Sequence, residues 1–367
     1  MADTREMMSS PPTIYDVARV AGVSIASVSR VLNGRRNPRA ETRERVLQAV
    51  AELGFVPDGA ARALSGSLKE VVGVVIRRVR WVPTSEGGFA EEDESLIFTD
   101  VINRGIEFAA QRQGFNLLVA SVDVDDHDVG GRLMALARKS DGLILHDRVL
   151  EPDQLEQLSR RVPVVTLANV ATPTTANVHS DNQSGMRELA THLLADHGYQ
   201  TLAFVAGLAD SPDSLARGET IAAQAADVGA TLLTGPQWQG NYYASGGARV
   251  IERLLASGDS LPRAIACAND QTALGVMYAL AQRGVDVPGD VAVTGFDDIP
   301  MARHLRPQLT TVRQPIQEIG ATAFDVLHSM ISNGAPAERD VVLPTRLILR
   351  ESCGCPSQST SPAWRAA

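Results

Sequence analysis

From Val71 onward, the sequence alternates short apolar runs with amphipathic stretches, and this alternation constrains the fold more than any other feature. VVGVVI and TLAFVAG are two of the apolar runs, and each has the length of a buried strand. Such alternation is typical of βα units, in which mainly parallel sheets carry helices on both faces. Two of these units also have similar sequence patterns, GIEFAAQRQGFNLLVAS and LATHLLADHGYQTLAFVAG. The pattern therefore predicts two similar α/β lobes rather than one long sheet.

The first 56 residues differ from the rest, because their apolar positions recur only at helical spacing. Thr13 and Asp16 have the spacing of a capping box, which predicts a helix that ends at Gly22. A second helix is expected to begin at Ser24, and a third to end at Gly54. Two short helices joined by a turn that contains glycine are typical of a helix-turn-helix.

Charge is distributed unevenly along the chain. The formal net charge is −9, but residues 1–62 carry +2 and the remaining residues carry −11. An acidic total argues against a nucleic-acid partner only when the charge is uniform. The basic N-terminal segment is therefore compatible with DNA binding.

The second predicted helix offers a face without acidic side chains, as a helix in the major groove requires. That face consists of small, apolar or donor side chains, at Ser24, Ile25, Ala26, Ser29 and Arg30. Hydroxyl, amide and guanidinium groups suited to phosphates accompany it, at Thr13, Tyr15, Asn33, Arg35 and Arg36. An ordinary helical hairpin with a solvated face is the alternative interpretation.

The order of these residues resembles that of a known family. The segment TIYDVARVAGVSIASVSRVLNGRRNPRAETRERVLQAVAELGFVPDGAARALSG is similar, almost position by position, to the head-piece and hinge of the lactose/galactose repressor (LacI/GalR) family. The similarity continues through SDGLIL, DSPDSLAR, ANDQTALG, GFDDIP, LTTVRQP and LPTRLILRESCG. The resemblance implies an all-α helix-turn-helix head-piece, a hinge, and a two-lobed α/β sensor domain similar to type I periplasmic binding proteins.

The resemblance also assigns roles in DNA binding. It implies that Ile25 and Ala26 are the main specificity positions, and that Ser29, Arg30 and Asn37 contribute contacts in the groove. The Ile-Ala pair is closer to the galactose-type Val-Ala than to the lactose-type Tyr-Gln. We therefore expect an operator that differs from the lactose operator.

The segment GAARAL is implied to form a hinge helix only on DNA. Leu64 would be an apolar wedge between central base steps, with Ala61 packed beside it in the minor groove. The alternative for Leu64 is a leucine that packs the linker onto the core.

In the sensor domain, the resemblance implies three chain crossings between the lobes and a polar ligand in the cleft. The residues implied to face that ligand are Phe98, Arg217, Tyr242, Asn269 and Asp297. The alternatives are a helix cap for Asp297, a surface ion pair for Arg217 and core packing for Tyr242. Ala168 stands where relatives often have a carboxylate or amide, so the ligand contacts of the N-lobe half of the cleft are not assigned.

We expect five segments: a flexible N-terminus at 1–12, a helix-turn-helix domain at 13–56, a hinge at 57–70, an effector-binding and dimerisation domain at 71–352, and a tail at 353–367. The N-lobe is expected to take residues 71–178 and 314–342, and the C-lobe residues 179–313 and 343–352. The acidic stretch at 85–94 is interpreted as a surface insertion.

The cysteines and histidines do not predict a metal site. Cys353 and Cys355 supply half of a zinc site, and together with Cys267 they are too few for a disulfide framework, so we expect reduced thiols. His192 and His197 are five residues apart, which separates two side chains on an α-helix, and we interpret them as solvated. No metal and no cofactor are expected.

An enzyme is not expected, because the sequence has no P-loop, no HExxH, no GxSxG and no GxGxxG after a strand. No window has the length and apolar character of a membrane helix, and the polar start is not a signal peptide, so a cytoplasmic protein without a membrane partner is expected. A transport protein would share the two lobes but would not carry a helix-turn-helix.

The sequence therefore predicts a ligand-responsive DNA-binding transcriptional regulator. We expect a repressor of carbohydrate-utilisation genes, released from double-stranded operator DNA by a mono- or oligosaccharide. A homodimer is expected, because one helix-turn-helix reads one half-site and the tail has no leucine heptads. The alternatives are a regulator with a purine or phosphoprotein co-effector, and a sugar-binding protein without a DNA role.

Overall fold

The structure is a computed structural model, and it describes residues 12–32, 39–55, 68–78, 97–123, 127–146, 148–168, 172–336 and 338–356. The chain divides into two compact units, Met1–Glu70 and Val71–Ala367, each of which is described by itself. Several sequence predictions lie outside the described residues: those for Asn33, Arg35, Arg36, Asn37, Ala61, Leu64, the acidic stretch at 85–94 and the tail beyond residue 356.

Within residues 12–32 and 39–55, the first unit forms three helices, α1 (Ile14–Ala21), α2 (Ile25–Leu32) and α3 (Ala40–Leu53). The predicted capping pattern is present, because the backbone N–H of Thr13 donates to Asp16 Oδ2 over 3.0 Å. Gly22 ends α1 with a φ of 63°, a left-handed conformation that glycine adopts without steric cost. Among the described residues of this unit, the buried side chains are Val17, Ala18, Ala21, Val28, Val46, Ala49 and Phe55. The predicted helix-turn-helix is confirmed.

The second unit begins with β1 (Val71–Arg78), α4 (Ile97–Arg112), β2 (Asn116–Asp123), α5 (Val129–Ala137), β3 (Gly142–His146), α6 (Pro152–Ser159), β4 (Val164–Leu167) and β5 (Ala176–Ser180). It continues with α7 (Asn182–Thr191), β6 (Thr201–Val205), α8 (Pro212–Asp227), β7 (Thr231–Leu233), α9 (Ala244–Ser257), β8 (Ala264–Cys267), α10 (Asp270–Gln282), β9 (Ala292–Asp297), β10 (Thr310–Arg313), α11 (Ile316–Asn333), β11 (Asp340–Leu343) and β12 (Arg346–Ile348).

These strands form two six-stranded sheets, one in each lobe. The N-lobe sheet has the order β11-β5-β4-β3-β1-β2, and the C-lobe sheet has the order β12-β10-β9-β8-β6-β7. Strand neighbours are parallel, except that β12 runs antiparallel to β10. Apolar side chains of both sheets alternate between two helix-covered faces, which gives two buried clusters per lobe. The two predicted α/β lobes are confirmed.

The chain passes between the lobes after β5, after β10 and after β11, and hydrogen bonds join the three crossings. Ser180 Oγ at the first crossing donates to Gln314 Oε1 at the second over 2.7 Å. The backbone N–H of Asp181 donates to the carbonyl of Leu343 at the third over 2.8 Å, and Thr345 Oγ1 donates to the carbonyl of Asp181 over 2.9 Å. We call these bonded segments, residues 180–182, 314–315 and 343–345, the crossing junction.

Glycines let one pair of helices pack closely in each lobe. In the N-lobe, a Cβ on Gly105 of α4 or on Gly320 of α11 would clash with a carbonyl oxygen of the opposite helix. In the C-lobe, a Cβ on Gly247 of α9 or on Gly275 of α10 would likewise clash with a carbonyl oxygen of the opposite helix. The backbones of each pair approach to a distance that leaves no room for a methyl group.

The interpretation of His192 and His197 as solvated is wrong for His192, which is only 5% exposed. After α7, residues His192–Asp196 form a π turn, in which the backbone N–H of His197 donates to the carbonyl of His192 over 3.1 Å. This i→i+5 bond brings the two rings together, and their Nε2 atoms are 3.1 Å apart. The α-helical spacing on which the interpretation rested does not hold in a π turn.

We expect Gly105→Ala to lower the free energy of unfolding of the second unit by about 1–3 kcal/mol or more, because the new methyl group must push α4 and α11 apart. Gly130→Ala is the matched control, since Gly130 lies in α5 with open space around its Cα. Denaturant unfolding of both variants checks the difference. Equal stability of the two variants would contradict the close helix contact.

Candidate effector cleft and DNA-reading helix

Helix α2 presents a solvent-exposed face without carboxylates. Ser24 begins the helix as predicted, because its Oγ accepts the backbone N–H of Ser27 over 3.2 Å. Val28 anchors the opposite face in the core of the unit. Arg30 Nε donates to the carbonyl of Ala26 over 3.0 Å, so the arginine side chain lies along the helix surface.

Seven of the thirteen residues predicted to contact DNA fall within the described segments, and none of them is buried. The exposed ones are Thr13, Tyr15, Ser24, Ile25, Ala26 and Arg30, and Ser29 is half-buried. Tyr15 and Ile25 are 68% and 41% accessible, so the predicted phosphate contact and the predicted specificity position both face solvent. The face predicted to read DNA is therefore a surface available to a partner.

A cleft lies between the two lobes, at the carboxyl ends of several strands, and holds about 850 Å³ of space that includes open solvent. All five residues implied to face a ligand line it: Phe98, Arg217, Tyr242, Asn269 and Asp297.

Arg217 of α8 is 2% exposed, so the alternative of a surface ion pair is wrong. Its Nε donates to Asn182 Oδ1 over 2.8 Å, and its Nη1 donates to the carbonyl of Ala268 over 2.7 Å. The guanidinium carbon lies 3.7 Å from the centroid of the Phe296 ring, in cation–π contact. These contacts fix the guanidinium at the cleft wall in one orientation.

Asp297 ends β9 and is buried, and Gln314 Nε2 donates to its Oδ1. It does not cap the turn that follows, because the backbone N–H of Ile299 donates to Asp270 Oδ2 over 2.9 Å. Burial raises the pKa of Asp297 to about 7, although the nearby positive charge of Arg217 opposes this effect. A carboxyl group of this kind changes its charge close to neutral pH.

Two cleft loops of the C-lobe hold consecutive non-glycine residues in the left-handed region. Their φ angles are 57° at Asn241 and 71° at Tyr242, and 125° at Asp297 and 58° at Asp298. Each such residue costs on the order of 1–3 kcal/mol and persists only where its surroundings hold it. Arg313 Nε helps to hold the second loop by donating to Asp298 Oδ2 over 2.7 Å. Backbone strain thus coincides with two of the side chains that face the cleft.

Asn269 holds the loop that carries Tyr242. Its Oδ1 accepts the backbone N–H of Thr272 at the start of α10 over 2.9 Å, and its Nδ2 donates to the carbonyl of Tyr242 over 3.1 Å. The Tyr242 hydroxyl lies 2.8 Å from Ser211 Oγ. A side chain at Gly207 would occupy the space of the Tyr242 ring. The ring therefore packs on the edge of the C-lobe core and also lines the cleft.

Sequence reasoning missed Arg77, which lines the N-lobe side of the cleft. Its Nη2 forms an ion pair of 2.8 Å with Asp210 of the C-lobe, and the backbone N–H of Ile97 donates across the lobes to Gln271 Oε1 over 2.9 Å. Within the described part of the chain, Nη1 of Arg77 is buried without a hydrogen-bond partner. The sequence feature that could have indicated Arg77 is its position near the end of an apolar strand. Ala168 lines the same cleft without a polar side chain.

Other polar side chains of the cleft were also missed. They are Thr99, His146, His179, Ser180, Ser211, Asp213 and Gln314. Burial lowers the pKa of His146 to about 4, so its ring is neutral at physiological pH. Its Nε2 lies 3.1 Å from Asn103 Oδ1. The cleft as a whole combines two carboxyl groups, those of Asp213 and the buried Asp297, with two guanidinium groups, neutral polar groups and aromatic rings.

Comparison with known proteins agrees with this architecture. The family model of bacterial regulatory proteins of the lacI family matches residues 13–58, and a periplasmic binding protein-like domain matches residues 191–353. Catabolite control protein A of Priestia megaterium is 33% identical over 344 residues, which cover 93% of this chain and 98% of that protein. The chain belongs to the lacI family. It is therefore a DNA-binding transcriptional regulator that responds to a ligand.

Other relatives of this lacI-family regulator have similar coverage. The ribose operon repressor of Haemophilus influenzae and the HTH-type transcriptional repressor PurR of Vibrio parahaemolyticus are each 31% identical, over 93% of this chain and 98% of those proteins. These relatives are transcriptional regulators, not enzymes. Within the described residues of the lacI-family chain, no helix has both the length and the apolar character needed to cross a bilayer.

Solved structures of lacI-family members share the fold. A lac repressor dimer bound to operator and the anti-inducer ONPF has a TM-score of 0.77 and 27% identity, over 94% of this chain and 99% of that one. The complex of the transcriptional regulator CelR with cellobiose has a TM-score of 0.65 and 28% identity, over 93% and 99%.

We expect the pH dependence of stability to change in Asp297→Asn. Because the pKa of Asp297 is raised, the folded state binds more protons than the unfolded state between about pH 4 and pH 7, so this group lowers stability as the pH rises through that window. The variant should therefore gain stability relative to wild type between pH 5 and pH 7.5. Denaturant unfolding at both pH values checks this, with the exposed Asp227→Asn as control. A constant difference would contradict a raised pKa.

Proposed function

We propose that this regulator is a repressor of carbohydrate-utilisation genes that a mono- or oligosaccharide releases from its operator. The observation that carries the proposal is the pairing of Asp297 and Arg217 in one cavity. A carboxylate has several acceptor positions, of which Gln314 uses one, and a guanidinium offers donors in a fixed fork. Neighbouring hydroxyl groups of a sugar need both kinds of partner.

Aromatic rings support the same ligand class. Tyr242 and Phe98 line the cavity, and rings of this kind cover the apolar face of a sugar. Arg77 Nη1, which has no hydrogen-bond partner among the described residues, adds a further partner for a hydroxyl group from the N-lobe side. A purine is the second candidate effector, because these rings stack equally well on a flat base. The CelR structure, with cellobiose, provides a family precedent for a disaccharide.

On the DNA side, we propose that α2 enters the major groove. The face that meets the base edges would consist of Ser24, Ile25, Ala26, Ser29 and Arg30, with Asn37 contributing a groove contact, and Thr13, Tyr15, Asn33, Arg35 and Arg36 would contact the phosphate backbone. The proposed hinge helix GAARAL would insert Leu64 between base steps, with Ala61 beside it. The exposure of the described members of this set, together with an acid-free helix face, supports the assignment.

We further propose that the regulator acts as a homodimer in the cytoplasm and has no enzymatic activity. One helix-turn-helix reads only a half-site, so a palindromic operator needs two copies. Phe108 on α4 and Val119 on the edge strand β2 are more than half exposed, and apolar side chains of this kind are common at interfaces. The lac repressor bound to its operator is itself a dimer.

We expect Asp297→Ala to abolish the response to the sugar and to keep operator binding. Without the carboxylate, ligand hydroxyl groups in the cleft lose their acceptor, and a ligand shifts DNA affinity only by its differential affinity for two lobe arrangements. A thermal-shift panel of mono- and disaccharides and purines identifies the ligand, and operator titration with and without it measures the response. Wild type should show about 5–150-fold weaker operator binding with ligand.

Asp227→Ala is the control for this experiment, because Asp227 is an exposed carboxylate at the end of α8 in the same lobe. It should respond like wild type. By linkage, operator DNA must weaken ligand binding by the same factor as ligand weakens operator binding. A purine that stabilises the protein while no sugar does would overturn the sugar proposal, and an unchanged response of Asp297→Ala would overturn the role of Asp297.

We expect Arg30→Ala to lose discrimination at one base pair by about 1–3 kcal/mol, because a bidentate arginine–guanine contact specifies sequence. Tyr15→Phe should weaken all sequences alike, because a hydroxyl–phosphate contact carries no sequence information. Competition binding over an operator library separates the two variants. A uniform loss for Arg30→Ala would remove it from the set of base-reading residues.

A further inference from the structure

Four side chains that neither the cleft nor the DNA-binding unit uses come together in the C-lobe. They are His192, His197, Cys353 and Cys355, and one donor atom of each lies within 4.8 Å of all the others. His192 and Cys353 are buried, and His197 and Cys355 are half-buried. Two imidazoles and two thiols are a ligand set that zinc takes in structural sites.

Four of the six distances between the donor atoms match the edges of a zinc tetrahedron. Bond lengths of about 2.05 Å to nitrogen and 2.3 Å to sulfur require about 3.3 Å between two nitrogens and about 3.6 Å between nitrogen and sulfur. The two Nε2 atoms are 3.1 Å apart. His192 Nε2 lies 3.5 Å from Sγ of both Cys353 and Cys355, and His197 Nε2 lies 3.6 Å from Cys355 Sγ. Four of the six edges are thus within about 0.2 Å of the ideal lengths.

Hydrogen bonds alone do not account for this cluster. His192 Nδ1 donates a hydrogen bond to Asp196 Oδ2 over 2.8 Å, so Nε2 is the ring atom left to face the other three side chains. His197 Nε2 and the sulfur atoms of Cys353 and Cys355 all lie within 3.5 Å of that atom. One ring nitrogen makes one good hydrogen bond, whereas a metal ion satisfies all four atoms at once. The Asp196 contact is also the carboxylate–histidine arrangement that orients metal ligands.

The local backbone is built to bring these side chains together. The π turn places His197 beside His192, and Gly354, with a φ of 101°, turns the chain between the two cysteines. Thr310 Oγ1 donates to Cys353 Sγ over 3.1 Å, as groups around a bound thiolate do. The His197 ring stacks on Tyr199, which in turn donates to the carbonyl of Cys353 over 2.8 Å.

We propose that His192, His197, Cys353 and Cys355 bind one Zn²⁺ ion as a closed structural site. Each thiol gives its proton to solvent on binding, so two thiolates balance the charge of the ion. All four ligands belong to the chain itself, which leaves no open position for a reacting molecule. The ion joins the end of the described chain, after β12, to the turn that follows α7.

The first test measures metal in the full-length wild-type protein, expressed with added zinc and dialysed against metal-free buffer. We expect one zinc per chain by elemental analysis. Cys355→Ser and His197→Gln should each lose it, and His304→Gln should retain it, because His304 is an exposed histidine of the same lobe outside the cluster. Chelation should lower Tm in wild type and leave Tm of the metal-free variants unchanged.

Measurements on the wild-type protein test the zinc site even if a variant fails to fold. Cobalt reconstitution should give the intense visible bands of a tetrahedral site and a thiolate-to-cobalt charge-transfer band. Titration in denaturant with chelator should find three free thiols per chain, since Cys267 is also reduced. Folded protein without stoichiometric metal, a different metal at one equivalent, or a single free thiol from a Cys353–Cys355 disulfide would each overturn the assignment. Operator and sugar binding are scored separately, so this outcome is independent of the proposed function.

Discussion

The side-chain amide of Gln314 connects the crossing junction to the cleft. Its Oε1 accepts the hydroxyl of Ser180, and its Nε2 donates to Asp297 Oδ1. Because donor and acceptor belong to one rigid plane, a shift of the Asp297 carboxylate towards a ligand must be transmitted to the bond with Ser180 or break the contact. The segments on which the arrangement of the two lobes depends are therefore in direct contact with the group proposed to bind effector.

The part of the C-lobe around Asp297 contains buried acidic groups and strained backbone, whose cost in stability must be offset by other parts of the fold. Asp270 is fully buried, and burial together with the charge of Asp297 raises its pKa well above that of an ordinary aspartate. Thr311 Oγ1 and the backbone N–H of Ile299 donate to its two oxygens. Gly295 has no side chain, and a Cβ there would clash with Asp270 Oδ1. Buried acids and left-handed residues at strand ends lower stability, which is usual where a site is held ready for a ligand.

The two lobes and the helix-turn-helix could be predicted because their signals are local: strand length, helical periodicity and capping residues repeat within short windows. The five cleft residues could be named from strand ends and family resemblance, and the structure brings all five to one cavity, although their role in binding stays a prediction. Arg77 was missed because its partner Asp210 is distant in sequence and belongs to the other lobe. The predictions for Leu64 and Arg36 stay predictions.

The contact between His192 and His197 was missed for a different reason, which concerns the number of residues in one helical turn rather than residue type. A π turn holds one residue more than an α-helical turn, so it arises when a single residue is inserted into a regular helix. In a regular α-helix, two residues five positions apart point about 140° away from each other, whereas two residues four positions apart differ by only about 40°. Removing one residue between His192 and His197 would therefore keep both rings on one face without the π turn. Among homologues, a five-residue spacing with a π turn and a four-residue spacing in a regular helix are thus two ways to bring the same two rings together.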